Sequence, residues 1–198
     1  MDIENQATGY SFWHQDQGVR SLVVPQCKAS HLYKAALVER YMFMEQDFHI
    51  SRRLMSISMP GSKRSTLYQS NPQQERYLWG HSEKITFNFK GKKMQGALYY
   101  PAGFSKGKKY PMIVQVYERQ SPYVHEFTPP PYFEQGGFNI TNYTSNGYFV
   151  LLPDIVYEYG ATGKAATESV IAAVDGVLSS GHILEDKIGL IGHSFGGY

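Results

Sequence analysis

The seven residues Gly192-His193-Ser194-Phe195-Gly196-Gly197-Tyr198 restrict the fold of this chain more than any other stretch. They form a G-x-S-x-G pattern directly after the apolar run Ile188-Gly189-Leu190-Ile191. That placement fits a strand that ends in a sharp bend, carries serine at the tip and runs on into a helix. Serine in such a bend sits in a strained backbone conformation, so side chains two residues to either side would crowd it. Gly192 and Gly196 meet that demand, and Gly197 lets the following helix pack closely. The competing interpretation is a glycine-rich turn whose serine merely caps a helix. The segments upstream decide between the two.

Bulk properties narrow the class. A chain of 198 residues has room for one α/β domain, or for a small domain with part of another. A net charge of +2 is too small to point to nucleic acid or an anionic membrane as partner. The lysines of Lys106-Gly107-Lys108-Lys109 read as a solvated Gly/Lys turn. No apolar run approaches the ~20 residues of a membrane span, and the N-terminus lacks the apolar core of a signal peptide. No membrane insertion is therefore expected, while the compartment stays open if Met1 is not the natural start. Cys27 is the only cysteine, which excludes intrachain disulfides and thiolate metal clusters. It reads as a buried small hydrophobe. Aromatic residues make up 15% and crowd the part before residue 160, an uneven spread that points to two architectures.

Residues 1–75 carry short β-type runs between polar turns: Ser21-Leu22-Val23-Val24, Arg40-Tyr41-Met42-Phe43-Met44 and Leu54-Met55-Ser56-Ile57-Ser58. From His31 to Met44 the pattern is ambiguous, because Leu32, Ala35, Ala36 and Leu37 also fit a helical face. Ser70-Asn71-Pro72-Gln73-Gln74 reads as a connector. Beyond Tyr77, Ile85, Phe87 and Phe89 alternate on one face, and Lys90-Gly91-Lys92 turns the chain into Met94–Tyr100, a β-hairpin. Pro111–Tyr117 reads as a buried strand. Residues 118–147, with Pro129-Pro130-Pro131-Tyr132, form a long aromatic and proline-rich excursion of the kind that serves function. Gly147–Leu152 is a second buried strand, ended by Pro153. A helix is predicted over about 165–180, with Val170, Ile171, Val174, Val177 and Leu178 on one face and Gly181 as its stop. The strand Lys187–Ile191 follows. This succession predicts a mainly parallel sheet behind an antiparallel leading hairpin. No internal repeat of 20 to 50 residues is present.

In that setting Ser194 is the candidate nucleophile. A serine hydroxyl needs a histidine base oriented by a carboxylate, and in α/β-hydrolases both follow the serine in the chain. All seven histidines precede Ser194. His193, adjacent to the serine, points elsewhere. His125 and Asp154 lie in loops near strand ends and were they base and acid the chain order of that fold would be broken; a loop histidine and a turn-forming aspartate are the simpler roles. The oxyanion hole is better represented. The backbone N–H of Phe195 supplies one donor, and the second is expected just past the Met112–Tyr117 strand, where the Tyr117 phenol stands. From position alone, Tyr117 could equally be an ordinary strand-end aromatic.

Several stretches together carry a resemblance. They are Gly192–Tyr198 with its doubled glycine, Tyr110-Pro111-Met112-Ile113-Val114 leading into Val116-Tyr117, Asn146-Gly147-Tyr148-Phe149-Val150, Pro153-Asp154, Asp186-Lys187-Ile188-Gly189, and Met94–Pro101. From about Asn71 to Tyr198 the chain resembles the prolyl oligopeptidase group of serine peptidases, which includes dipeptidyl and acylaminoacyl peptidases. The resemblance implies Ser194 as nucleophile, Tyr117 as oxyanion tyrosine, a peptide substrate and neither metal nor organic cofactor. It also implies a β-propeller ahead of the catalytic domain, so residues 1–75 would be its last blade and exit. Two departures stand near the expected substrate pocket. Glu118-Arg119-Gln120-Ser121-Pro122 replaces a glycine-rich stretch, and Ile155-Val156-Tyr157-Glu158-Tyr159-Gly160 replaces an arginine-glycine turn. Cleavage preference, and the choice between exo- and endopeptidase, are left open.

The expected fold class is therefore α/β: the N-terminal half of an α/β-hydrolase domain over residues 76–198, preceded by the β-rich segment 1–75. The expected function is hydrolysis of short peptides through an acyl-enzyme on Ser194. With base and acid lying beyond Tyr198, this stretch is expected to be an inactive fragment, and poorly stable because strand 187–191 would lack neighbours. The alternatives are an esterase of the same fold, which shares the chemistry of bend and oxyanion hole, and a non-catalytic interaction module that binds a protein through the β-rich region and the 118–147 loop. Oligomeric state and compartment are not legible.

Overall fold

A computed structural model describes residues 2, 4–24, 26–58, 62–131 and 137–198, which form mostly β-sheet with few helices. Tyr132, at the end of the proline stretch 129–132, lies outside the described residues. The chain divides into two units: Met1–Tyr77 with His125–Phe127, and Leu78–Val124 with Thr128–Tyr198.

In the first unit a hairpin of β1 (Tyr10–His14) and β2 (Gly18–Val23) precedes a four-stranded antiparallel meander. Its strands are β3 (Lys28–Lys34), β4 (Tyr41–Asp47), β5 (Ile50–Ile57) and β6 (Ser65–Gln69), in the order β3-β4-β5-β6. The ambiguous stretch from His31 is strand, turn and strand. Its alternation is blurred by a register shift between Ser30 and Tyr33, where His31 takes φ 55°. Leu37, which a helical face would have buried, is 96% exposed in the turn. Leu22, Phe43, Met55 and Ile57 form the core. Beside it the buried Glu45 is paired with Arg53 and with Arg64, the latter at 2.6 Å, so the carboxylate is not left alone in a dry site. Burial first, then the charges of Glu45 and Asp47, push the Cys27 thiol up to about 12. That keeps it protonated and unreactive.

The second unit opens with β7 (Ser82–Phe89) and β8 (Lys92–Tyr99), joined through Lys90 and Gly91, both at positive φ as a two-residue hairpin turn requires. Then come β9 (Tyr110–Val116), α1 (Ile140–Ser145), β10 (Phe149–Pro153), α2 (Thr162–Leu178) and β11 (Ile183–Gly192). The sheet order is β11-β9-β10-β8-β7. β9 runs parallel to both β10 and β11, and the β7–β8 hairpin joins β10 antiparallel. Phe87, Met112, Val114, Phe149 and Leu151 face α2, which meets them with Ala173 and Val177. The buried line of α2 is Ala165, Ser169, Ala173 and Val177, one residue per turn. Ile171, expected on the buried face, is 54% exposed. The 118–147 excursion is not structureless. It contains a 3-10 turn at Ser121–Tyr123 and α1, capped by the Asn139 side chain on the Asn142 N–H at 3.0 Å.

Candidate active site

The bend after β11 is built as its glycines demand. Gly192 is the last residue of the strand and pairs in register with Val116 at the end of β9. His193 is extended, and Ser194 then takes φ 53°, in the left-handed region that a residue with a side chain enters only at a cost of about 1–3 kcal/mol. Residues Ser194–Gly197 wind into one 3-10 turn, with the Gly196 N–H donating to the His193 carbonyl at 2.9 Å. A Cβ on Gly192 would stand 1.8 Å from the Gly196 carbonyl oxygen, and one on Gly196 would stand 1.9 Å from the Val116 carbonyl oxygen. The turn closes only because neither exists. Gly197 differs: a Cβ there would meet nothing nearer than 3.6 Å, so the turn itself does not require glycine at that position.

Ser194 is exposed at the tip. The N–H of Phe195 lies in the first residues of the turn, among the donors that a helical turn leaves without a carbonyl inside it. Tyr117 is the first residue after β9 and is 38% exposed. Its Cα is 3.7 Å from the position a Gly196 Cβ would occupy. Ser194, Phe195 and Tyr117 therefore lie at the same end of the adjacent parallel strands β9 and β11, although the tyrosine and the serine stand 77 positions apart in the chain.

One neighbour was not singled out from sequence. The Tyr157 ring meets Phe195 edge-on, with centroids 5.2 Å apart. Its phenol is shifted up by partial burial first, then by the charge of Glu118 and by Tyr117. Behind the turn, between α2 and the ends of β9 and β11, lies a largely apolar cavity of about 450 Å³ bordered by Val116, Ile155, Val170, Leu190 and Tyr198.

The two loop residues weighed as base and acid are engaged elsewhere. His125 belongs to the first unit, where Nδ1 faces Asp47 Oδ1 at 3.1 Å and Nε2 faces the Asn5 carbonyl at 2.7 Å. Burial works against its charge, but the bonds to Asp47 and Asn5 and the charge of Asp47 outweigh that and raise its pKa. Asp154 is buried in the second unit. Its Oδ1 accepts the N–H groups of Gln120 and Ser121, and its Oδ2 the Ser121 hydroxyl, each at 2.7 Å. Among the described residues no hydrogen bond joins a histidine to Ser194, and no group of three His, Cys, Asp or Glu side chains is placed to hold a metal ion.

No family model matches the chain, and no curated protein matches it in sequence. Solved structures do resemble it in fold. An acylaminoacyl peptidase of Pyrococcus horikoshii is 15% identical with a TM-score of 0.71, over 99% of this chain and 31% of that one. The isopeptidase AtxE2 is 18% identical with a TM-score of 0.67, over 89% and 29%. The dipeptidyl peptidase 4 of Porphyromonas gingivalis is 16% identical with a TM-score of 0.64, over 97% and 29%. The chain thus spans less than a third of the length of each, and at these identities the likeness is one of fold: this chain folds like part of these peptidases.

Proposed function

We propose that residues 76–198 carry the nucleophile and oxyanion hole of a serine peptidase of prolyl oligopeptidase type, built on the N-terminal half of an α/β-hydrolase domain, and that residues 1–75 belong to the end of a β-propeller. The observation that carries this reading is Ser194 held at φ 53° in a turn that only Gly192 and Gly196 permit, beside Tyr117. A strained, exposed serine at the end of parallel strands has little structural use. The similarity in fold to peptidases supports the same chemistry.

In this reading Ser194 Oγ loses its proton to a base and attacks the carbonyl carbon of a peptide bond. The carbonyl oxygen becomes an oxyanion that accepts hydrogen bonds from the Phe195 N–H and the Tyr117 hydroxyl. The C–N bond then breaks, the amine leaves with the proton, and water releases the acyl group from Ser194 in a second step. The reading requires a histidine base and its carboxylate from polypeptide outside residues 1–198. The substrate is a peptide, and no metal or organic cofactor is needed.

The test uses the full gene product that carries these residues, assayed on a panel of short peptide amides and p-nitrophenyl esters and with a fluorophosphonate probe. Ser194→Ala should abolish labelling and lower amide hydrolysis by about 10⁴-fold or more. Tyr117→Phe should lower kcat by about 10²- to 10³-fold with labelling retained at a reduced rate. Turnover of esters without amides would favour an esterase instead. A serine that never labels would favour a non-catalytic interaction module.

A further inference from the structure

Asp154 spends its carboxylate on one short segment. Oδ1 accepts from the Gln120 and Ser121 N–H groups and Oδ2 from the Ser121 hydroxyl, all at 2.7 Å, with Ser121 fully buried and Asp154 7% exposed. The backbone on either side of Asp154 is fixed as well. Its own N–H donates to the Gln95 carbonyl at 2.9 Å, and the Ile155 N–H donates to the Glu118 carbonyl at 3.3 Å. The segment so clamped, Glu118–Ser121, begins one residue after Tyr117. On its other side Tyr117 follows Val116, which the sheet holds in register with Gly192. The tyrosine is therefore strung between two anchors, each one residue away, and its backbone, which sets the direction of its Cα–Cβ bond, is held from both sides.

We infer that Asp154 is a positioning residue for Tyr117: it fixes the turn that aims the phenol at the oxyanion formed on the substrate of Ser194. The inference rests on the serine-peptidase reading and adds a residue to it. A buried carboxylate that accepts three charge-assisted hydrogen bonds from a single turn is a stiff clamp. A loop of this kind left without it would let the phenol drift, and a drift of about 1 Å at a catalytic group can cost about 10²-fold in rate. The carboxylate is not free to orient a histidine, because three of its roughly four acceptor positions are filled by the turn.

A double-mutant cycle in the full gene product separates this role from general structural support. Asp154→Ala should lower kcat about 10- to 100-fold with KM little changed, and should weaken a peptide aldehyde, whose adduct with Ser194 mimics the oxyanion, by a similar factor. In a Tyr117→Phe background the same substitution should cost almost nothing further. Asp154→Asn should stay within about threefold of the parent, because its amide oxygen still accepts both N–H groups and its NH₂ can donate to a Ser121 hydroxyl turned the other way. If Asp154→Ala does not fold, Ser121→Ala, which removes only the bond to Oδ2, carries the same cycle with an expected loss of about 3- to 10-fold. Equal losses in the parent and in the Tyr117→Phe background would overturn the role, as would full activity in Asp154→Ala. Ser194→Ala serves as control: retained activity there sinks the serine-peptidase reading itself, whereas loss there with additive Asp154→Ala sinks only the role of Asp154.

Discussion

Gly196 has no room for a methyl group, because the position of its Cβ falls 1.9 Å from a backbone oxygen of the neighbouring strand. Backbone cannot rotate away as a side chain can, so Gly196→Ala must open the turn or push β9 and β11 apart. We expect it to destabilise the second unit by about 1–3 kcal/mol or more, read as a lower urea midpoint. Gly197→Ala is the matched comparison. With 3.6 Å to its nearest contact and no positive φ, it should change stability by no more than about 0.5 kcal/mol. Equal costs at the two positions would mean that the turn relaxes, and that its glycines are not steric necessities.

Among the elements, the three-residue stretch His125–Phe127 has the clearest pH signature. Within the first unit Glu126 pairs with Lys28, the Phe127 N–H donates to Gln46 Oε1 at 3.3 Å, and both ring nitrogens of His125 face acceptors. Only the imidazolium can donate to both acceptors, so folding favours the protonated ring and raises its pKa. Asp47, which also lies 3.5 Å from His49 Nδ1, is the charged group facing it. A raised pKa contributes stability that is fully present below the unfolded value, about 6.5, and is lost as pH rises through the higher folded value. The melting temperature should therefore fall across that window, and His125→Gln should flatten the fall. Thermal melts of the two proteins from about pH 6 to about pH 9 would check it, and parallel slopes would remove His125 from the account.

For the whole molecule, the exposed edge of the second unit matters most. β11 ends the sheet order, so among the described residues one side of its backbone has no partner strand, and Leu190 on it is 70% exposed beside the apolar cavity that Ile171 also borders. An apolar edge strand is a template for pairing with another chain. Residues 1–198 expressed alone should self-associate, and Leu190→Lys should lower the associated fraction several-fold in sedimentation velocity. Association unchanged by the lysine would locate the contact away from β11.

The local periodicities needed no tertiary information. The Ile85-Phe87-Phe89 alternation, the Lys90-Gly91 turn, the buried runs of β9 and β10 and the helix before Gly181 are all written in neighbouring residues, because a strand or helix face is defined by spacings of two to four. The bend at Ser194 was legible for the same reason: its glycines sit two residues to either side. Boundaries and partners were not. The strand β6, the short helix α1 and the exposure of Ile171 depend on which surface each segment meets, and a six-residue helix carries too little periodicity to announce itself. The same division runs through the site. Sequence alone determined that a strained serine would follow a strand, and that a tyrosine would stand at the end of another. Only the tertiary structure decided that β9 and β11 are neighbours in register, which brings the tyrosine beside the serine, and that Asp154 reaches back 33 and 34 residues to hold the turn between them. Strand order and long-range hydrogen bonds come from packing apolar faces across the sheet, and that packing couples residues whose separation in the chain leaves no periodic trace.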